Sequence, residues 1–280
     1  MYTVTFKDNN AYLTVEDGFD LGMTLDCGQA FRFYPLQNGR WCGIAHDRYI
    51  EMEQINSKNV ILYNTDKDSF ERIWKDYFDL ERDYSHIIAE ISENEILKTA
   101  SQYGNGIRVL KQPPWETLCS FILSQNNNIK RIRSIIERLT ENFGEKIPGG
   151  YTFPTPERLA MLTVDDLTCL RAGFRAKYIL DAAKKVSDGA VNLEILHKLP
   201  YIQAQAELMK ICGVGPKVAD CTLLFTHAHL SAFPKDVWIN RALDVLFHGE
   251  LPQSALPYAG IVQQYIFFYA KETKLGLTSE

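Results

Sequence analysis

Hydrophobic and polar positions alternate with period two from the start of the chain to Tyr63. Tyr2-Thr3-Val4-Thr5-Phe6 and Ala11-Tyr12-Leu13-Thr14-Val15 put alternate side chains on opposite faces, with the turn signal Asp8-Asn9-Asn10 between them. A β-hairpin is predicted. Gln29 to Tyr34, Arg40 to Ala45, Tyr49 to Glu53 and Asn59 to Tyr63 read as further short strands. Connections this short join antiparallel neighbours. After Asp66 the period lengthens to about 3.6. Phe70, Ile73, Trp74 and Tyr77 then share one helical face. Further helices are predicted from Pro113-Pro114 through Ile122 and from Asn128 to Asn142, the latter closed near Gly144. Others run from Tyr178 to Val186, Ala204 to Ile211, Lys217 to Phe225, Val237 to Phe247 and Tyr258 to Ala270. The expected fold class is α+β: an N-terminal antiparallel β-sheet domain (1–85), then an all-helical body (86–280).

Composition adds bounds. The chain has 280 residues, 46% hydrophobic and 23% charged, which fits a globular protein of one large or two modest domains. A disordered or collagenous chain is excluded. The net charge of −5 argues against a nucleic-acid binder, which usually carries a basic excess. The average conceals an asymmetry, however. Residues 1–100 hold 10 basic and 18 acidic side chains, and the remainder holds 20 basic and 17 acidic. The six cysteines, Cys27, Cys42, Cys119, Cys169, Cys212 and Cys221, form no CxxC and match no zinc or iron–sulfur spacing, so reduced thiols are expected. With Asp8, Glu16, Asp17 and Asp20 in the first twenty residues, no secretory leader is expected there. The longest apolar run, Tyr265 to Ala270, is far short of the roughly 20 residues a membrane span needs.

The most informative stretch is 204–225, AQAELMKICGVGPKVADCTLLF. One helix ends near Met209 and Lys210. Gly213-Val214-Gly215 makes a tight hairpin, and Pro216 opens a second helix. Glycines suit a backbone that adopts positive φ and approaches a ligand closely. Exposed N–H groups at a helix start bind phosphate oxygens. A plain corner between two helices is the alternative reading. The pattern resembles the helix-hairpin-helix of the DNA glycosylase superfamily that carries a Gly/Pro-rich loop ending in aspartate. This chain supplies Lys217 after the hairpin and then Ser231-Ala232-Phe233-Pro234-Lys235-Asp236. The resemblance implies Lys217 and Asp236 as the catalytic pair. A lysine amine at a helix N-terminus, partly desolvated, is activated as a nucleophile toward the sugar C1′. A carboxylate nearby stabilises the cationic sugar and moves protons. Taken singly, Asp236 also suits a helix N-cap and Lys217 a solvated helix position.

Four more segments resemble the 8-oxoguanine DNA glycosylase/AP lyases, in order, from about residue 15 to 270. They are Cys27-Gly28-Gln29-Ala30-Phe31-Arg32-Phe33, Phe121 to Ile132 around Asn126-Asn127-Asn128, Ala172 to Tyr178, and Gly260 to Phe267. The resemblance implies an enzyme that flips 8-oxoguanine, paired with cytosine, out of duplex DNA. It then excises the base through Lys217 and nicks the strand by β-elimination. In that reading the Gly28 carbonyl accepts the lesion's N7–H, Cys221 and Phe267 sandwich the base, and Gln263 meets its Watson–Crick edge. Asn126, Arg131 and Arg175 fill the gap and contact the orphan cytosine. Phe174, where the family usually has tyrosine, wedges into the stack. Gly213, Val214 and Gly215 contact phosphate. Carbonyls of Met209, Ile211 and Val214 could hold a monovalent cation. Each of these residues also has an ordinary reading: turn glycine, core thiol, helix-break loop, solvated charge. Trp238 stands where eukaryotic members have histidine, and Lys235 where the family has an apolar residue. No required cofactor, zinc or iron–sulfur cluster is expected. The expected partner is lesion-bearing double-stranded DNA, bound by a monomer, with no membrane. The expected location is the cytoplasmic nucleoid of a bacterium or the nucleus of a eukaryote. Two competing readings share the motif: a monofunctional alkylated-base DNA glycosylase and a non-catalytic helix-hairpin-helix DNA-binding protein.

Overall fold

The structure, a computed structural model, describes residues 1–275. Strands β1 (Tyr2–Lys7) and β2 (Asn10–Val15) form the predicted hairpin, with Asp8 and Asn9 both at positive φ in the turn. After helix α1 (Leu21–Leu25) come β3 (Phe33–Pro35), β4 (Trp41–Ala45), β5 (Arg48–Gln54) and β6 (Asn59–Tyr63). All six pair antiparallel in the order β1-β2-β6-β5-β4-β3. The period-two pattern places Ala11, Leu13, Val15, Ile50, Met52, Val60 and Leu62 on one buried face. A helical stretch covers that face. It consists of α2 (Lys67–Ser69), a π-helical turn over Phe70–Trp74 and α3 (Lys75–Tyr77), and it buries Phe70, Trp74 and Tyr77.

The strand expected from Gln29 to Tyr34 is shorter than predicted. Only Phe33–Pro35 pairs with β4. Gly28 sits at φ +91°, which bends the chain out of line, and the polar groups of Gln29 bond elsewhere.

The remaining helices are α4 (Tyr84–Ile91), α5 (Glu95–Tyr103), α6 (Pro114–Ser124) and α7 (Ile129–Phe143), then α8 (Pro156–Ala160), α9 (Arg175–Ser187), α10 (Tyr201–Leu208), α11 (Pro216–Phe225), α12 (Val237–Phe247) and α13 (Ala259–Glu272). In α7, Ile132, Ile135, Ile136 and Leu139 give the apolar stripe of an amphipathic helix. Two corrections concern this body. It is not wholly helical, because β7 (Lys146–Ile147) and β8 (Gly150–Tyr151) form a small antiparallel hairpin. The helix expected from Ala204 to Ile211 runs instead over Tyr201–Leu208, after Pro200, whose fixed φ suits a helix entrance. Among the described residues no helix is long and apolar enough to cross a membrane.

Two hydrophobic cores result, one under the sheet and one inside the helices. They interlock: Phe31 from the sheet segment packs into the helical core, and Leu110 packs into the sheet core. Burying such a side chain contributes about 1.5–3 kcal/mol. Leu110 lies in an extended, buried strap, 107–112, that has no ladder to satisfy its backbone. Its N–H groups bond outward instead. Arg108 donates to Thr24 Oγ1 (3.2 Å), Val109 to the Tyr84 hydroxyl (2.9 Å), Leu110 to Gln29 Oε1 (2.9 Å), Lys111 to the Tyr77 carbonyl (2.9 Å) and Gln112 to the Phe225 carbonyl (2.8 Å). Every donor of a buried backbone needs such a partner.

Within the strap, the Arg108 side chain is 1% exposed and meets Asp17, equally buried, at 2.6 Å. Its guanidinium also donates to the Asp79 carbonyl at 2.9 Å and lies 4.4 Å from the Tyr84 ring centroid. Removing one member of a buried pair leaves the other charge uncompensated, at a cost of about 3–5 kcal/mol. Asp17→Ala is therefore expected to lower unfolding free energy by about that amount in urea titration, with m unchanged. A loss below about 1 kcal/mol, the level of an exposed pair, would contradict this placement.

Candidate active site at the seam between sheet and helices

Helix α11 is buried along its length from Val218 to Phe225, so only its first turn reaches solvent. Gly215 occupies the N-cap and offers no side-chain cap. The first-turn N–H groups therefore point outward, with the positive end of the helix dipole behind them. Gly213 lies at φ +79°, and a Cβ there would sit 2.4 Å from the Tyr178 ring, so the hairpin admits only glycine at this position. Gly215 differs from expectation. Its φ is −100°, ordinary extended backbone, and a Cβ would meet nothing within 4 Å. The absence of a side chain there keeps the approach to the helix end open. Val214 is also corrected. Its N–H donates to the Ile211 carbonyl at 3.0 Å and is not free for phosphate. The Gly213 and Gly215 N–H groups have no acceptor among the described residues.

Lys217, in the first turn, is half-buried and holds its Nζ 5.2 Å from the centroid of Phe121. Phe121 stacks on Phe225 at 5.3 Å and meets Phe31 edge-on at 5.8 Å. These rings form the apolar floor of a cleft of about 840 Å³. Asp236 borders the same cleft as the N-cap of α12, where its Oδ1 accepts from Ile239 N at 2.8 Å. The cap reading is thus correct, and it also fixes the carboxylate in place. Gly28, Cys221, Gln263 and Phe267 line this cleft too. Gly28 arrives from the sheet segment, Cys221 from one turn beyond Lys217, and Gln263 and Phe267 from α13. Trp238 and Val237 stand at its rim, and Val237 is 74% exposed.

Three side chains that the sequence reading did not single out hold this arrangement. Gln29, fully buried, donates through Nε2 to the carbonyls of Thr24 and Arg108, both at 2.8 Å, and accepts from Leu110 N. Gln112 donates to the Gln29 carbonyl at 2.6 Å. Gln264, beside Gln263 on α13, is buried against Cys27. The sequence signal for Gln29 was present: a glutamine next to a glycine in an otherwise apolar run implies a buried amide with partners.

The Asn126-Asn127-Asn128 run divides its labour. Asn127 Nδ2 donates to the Leu123 carbonyl at 3.0 Å and closes α6. Asn128 Oδ1 accepts from Arg131 N at 3.0 Å and opens α7. Asn126, exposed at φ +47°, is free to face a ligand, and exposed Arg131 makes a long bond, 3.5 Å, to the Arg171 carbonyl. Arg175 is different. It is 3% exposed and donates to the carbonyls of Gln125, Asn126 and Ala172. Without DNA its guanidinium braces the turn that presents Asn126. Phe174 is 47% exposed beside that turn, edge-on to Tyr178 at 5.7 Å. Arg133 is paired with Asp26 at 2.8 Å. Lys130, Arg131, Arg171, Lys177 and Lys235 are exposed. Of the hairpin carbonyls, Ile211 accepts from Val214, while those of Met209 and Val214 accept no hydrogen bond among the described residues.

Burial pushes the Cys221 thiol up to about 11, although the neighbouring Lys217 ammonium pulls the other way. Burial likewise raises Cys27 to about 11. Both are neutral thiols at working pH, and only thiolate reacts readily with alkylating agents. At pH 8, iodoacetamide followed by peptide mass mapping is expected to label exposed Cys169 and Cys212 and to spare Cys27 and Cys221. Early labelling of Cys221 would show that its environment is not as described.

Comparison with known proteins agrees with this geometry. Residues 12–118 match the family model for the 8-oxoguanine DNA glycosylase N-terminal domain, and residues 119–252 match that for HhH-GPD superfamily base excision DNA repair proteins. An N-glycosylase/DNA lyase of Saccharomyces cerevisiae is 38% identical over 184 residues, 59% of this chain and 48% of that protein. The chain therefore spans about half the length of that relative. N-glycosylase/DNA lyase OGG1 of Arabidopsis thaliana is 30% identical over 88% of this chain and 76% of its own length. Among solved structures, the 8-oxoguanine glycosylase/lyase of Clostridium acetobutylicum, in complex with double-stranded DNA containing cytosine opposite 8-oxoG, superposes with a TM-score of 0.89 at 36% identity, over 97% of this chain and 98% of the other. By these matches, which together cover nearly the whole chain, this chain belongs to the 8-oxoguanine DNA glycosylase/lyase family.

Proposed function

We propose that this chain excises 8-oxoguanine lying opposite cytosine in duplex DNA and then cleaves the abasic strand. One observation carries the reading: a single cleft joins Lys217, at the uncapped start of a buried helix, to Asp236 and to the Gly28 turn of the sheet domain. The lesion rotates out of the stack into the cleft. Its face rests between Cys221 and Phe267, and its N7–H meets the Gly28 carbonyl, which would repel the lone pair of an undamaged guanine N7. Gln263 meets the Watson–Crick edge. Asn126 and Arg131 contact the cytosine left behind, and Phe174 fills the stack.

The chemistry follows from the cleft. The Lys217 amine attacks C1′, the bond from C1′ to the base breaks, and the base leaves with the electron pair and takes up a proton. The sugar ring then opens at O4′, which gains a proton, and Lys217 becomes a Schiff base. Loss of a C2′ proton expels the 3′-phosphate. Asp236, held at its cap, stabilises positive charge at the sugar. Gly213 and Gly215 N–H groups bind backbone phosphate. The free Met209 and Val214 carbonyls, with Ile211, are hard oxygen donors that fit a monovalent cation, which when bound adds positive charge beside that phosphate. The protein acts where genomic DNA lies, the nucleoid of a bacterium or the nucleus of a eukaryote.

Borohydride reduction on lesion-bearing duplex is expected to trap a covalent adduct with the wild-type chain and none with Lys217→Gln. A surviving adduct in that variant would remove Lys217 from the reaction. Release of alkylated bases without strand cleavage would instead support the monofunctional reading. Gly28→Ala is expected to reduce discrimination of 8-oxoguanine from guanine at least tenfold, about 1.4 kcal/mol, while DNA affinity in a binding titration falls less. Gly28 lies at φ +91°, so the substitution strains the turn that aims the carbonyl. Equal losses in both measurements would contradict the role given to that carbonyl.

A further inference from the structure

Along the wall of the cleft runs a chain of hydrogen bonds with a fixed direction. Its end is the Pro234 carbonyl, which can only accept. Gln263 donates to it through Nε2 at 3.3 Å. That places Gln263 Oε1 toward the next residue, where Gln264 Nε2 donates to it. Gln264 Oε1 in turn faces the Cys27 thiol at 3.5 Å, and the Thr24 carbonyl lies at the same distance from that sulfur. Gln263, Gln264 and Cys27 are all buried at the wall of the cleft, with little surface left for water. Turning either amide over would set oxygen against oxygen, or an N–H against an N–H, at a buried contact.

We infer that Gln264 is a positioning residue that locks the Gln263 carboxamide in one orientation and thereby sets which purine edge the cleft accepts. The inference rests on the proposed function. With the amide locked, its nitrogen lies on the Pro234 side and its oxygen on the Gln264 side. A guanine-type edge offers an acceptor, O6, beside a donor, N1–H, and matches that order. An adenine-type edge offers a donor, N6–H, beside an acceptor, N1, and is mismatched twice. A site built to hydrogen-bond rejects such an edge because its own polar groups are left unpaired. The lock also ties this readout to the sheet segment, since Cys27 precedes Gly28.

The test measures kcat/KM for 8-oxoguanine and for 8-oxoadenine, each in the same duplex context, for the wild type, Gln264→Met and Gln264→Glu. Gln264→Met keeps the volume and removes the donor, and the ratio of the two rates is expected to fall about tenfold or more, equivalent to at least about 1.4 kcal/mol. Gln264→Glu places an acceptor where the donor was. Its ratio should fall at high pH and recover as the introduced carboxyl is protonated and again donates, a response that general loosening of the fold would not give. Thermal unfolding of both variants is followed alongside. A folded Gln264→Met protein with the wild-type ratio overturns the inference. So does a pH-independent wild-type ratio in Gln264→Glu. If the wild-type chain itself excises no 8-oxoguanine, the proposed function fails first, and this inference with it.

Discussion

Gln112 is the residue on which the cleft depends. Its backbone N–H donates to the Phe225 carbonyl at the far end of α11, and its side chain donates to the Gln29 carbonyl beside Gly28. The helix that carries Lys217 and the turn that carries Gly28 come from different cores. One residue holds both at hydrogen-bond distance. The strap around it makes the link rigid, because each strap N–H from Arg108 to Gln112 has a buried partner on a different element. Cleft geometry is therefore a property of the seam, not of either half.

The charge distribution makes sense in that light. A net charge of −5 does not prevent DNA binding, because the exposed cations near the cleft lie in the helical body while much of the acidic excess lies in the sheet domain. Hairpin N–H groups add attraction for phosphate that no count of side-chain charges records. Several basic residues are unavailable. Arg133 is paired with Asp26, Arg175 is buried in the Gln125 turn, and Arg108 lies under the sheet domain. The field that a duplex meets comes from a few free side chains and from oriented backbone.

Much of this was legible in the sequence. Period-two alternation gave the hairpin and the sheet, and α12 begins and ends where periodicity and its Asp cap placed it. Lys217 and Asp236 were paired through the resemblance of the hairpin and the Pro-Lys-Asp loop to the glycosylase superfamily, and both line one cleft. What failed, failed for tertiary reasons. Gln29 looked like a strand residue because its neighbours are aromatic, but its amide is drawn to the strap. Arg175 was placed at the orphan cytosine by resemblance alone, and the three carbonyls packed around it lie in segments that no local window joins. The strap has no periodic pattern, and its bonding partners lie up to 118 residues away, as His227 does on the Val109 carbonyl. No local window contains that information.

The boundary between the two family matches falls at 118/119, in the middle of α6. No hydrophobic core divides there; the two cores part between Leu80 and Tyr84, and Phe31 and Leu110 cross even that line. A recombinant that exchanged the first 118 residues would keep Gln112 with Gln29 and yet confront it with a foreign α11. The two halves are tied together at several points, by Gln112 on the Phe225 carbonyl, Cys27 on Gln264, Asp26 on Arg133 and Phe31 on Phe121, so a change in one half is felt in the other.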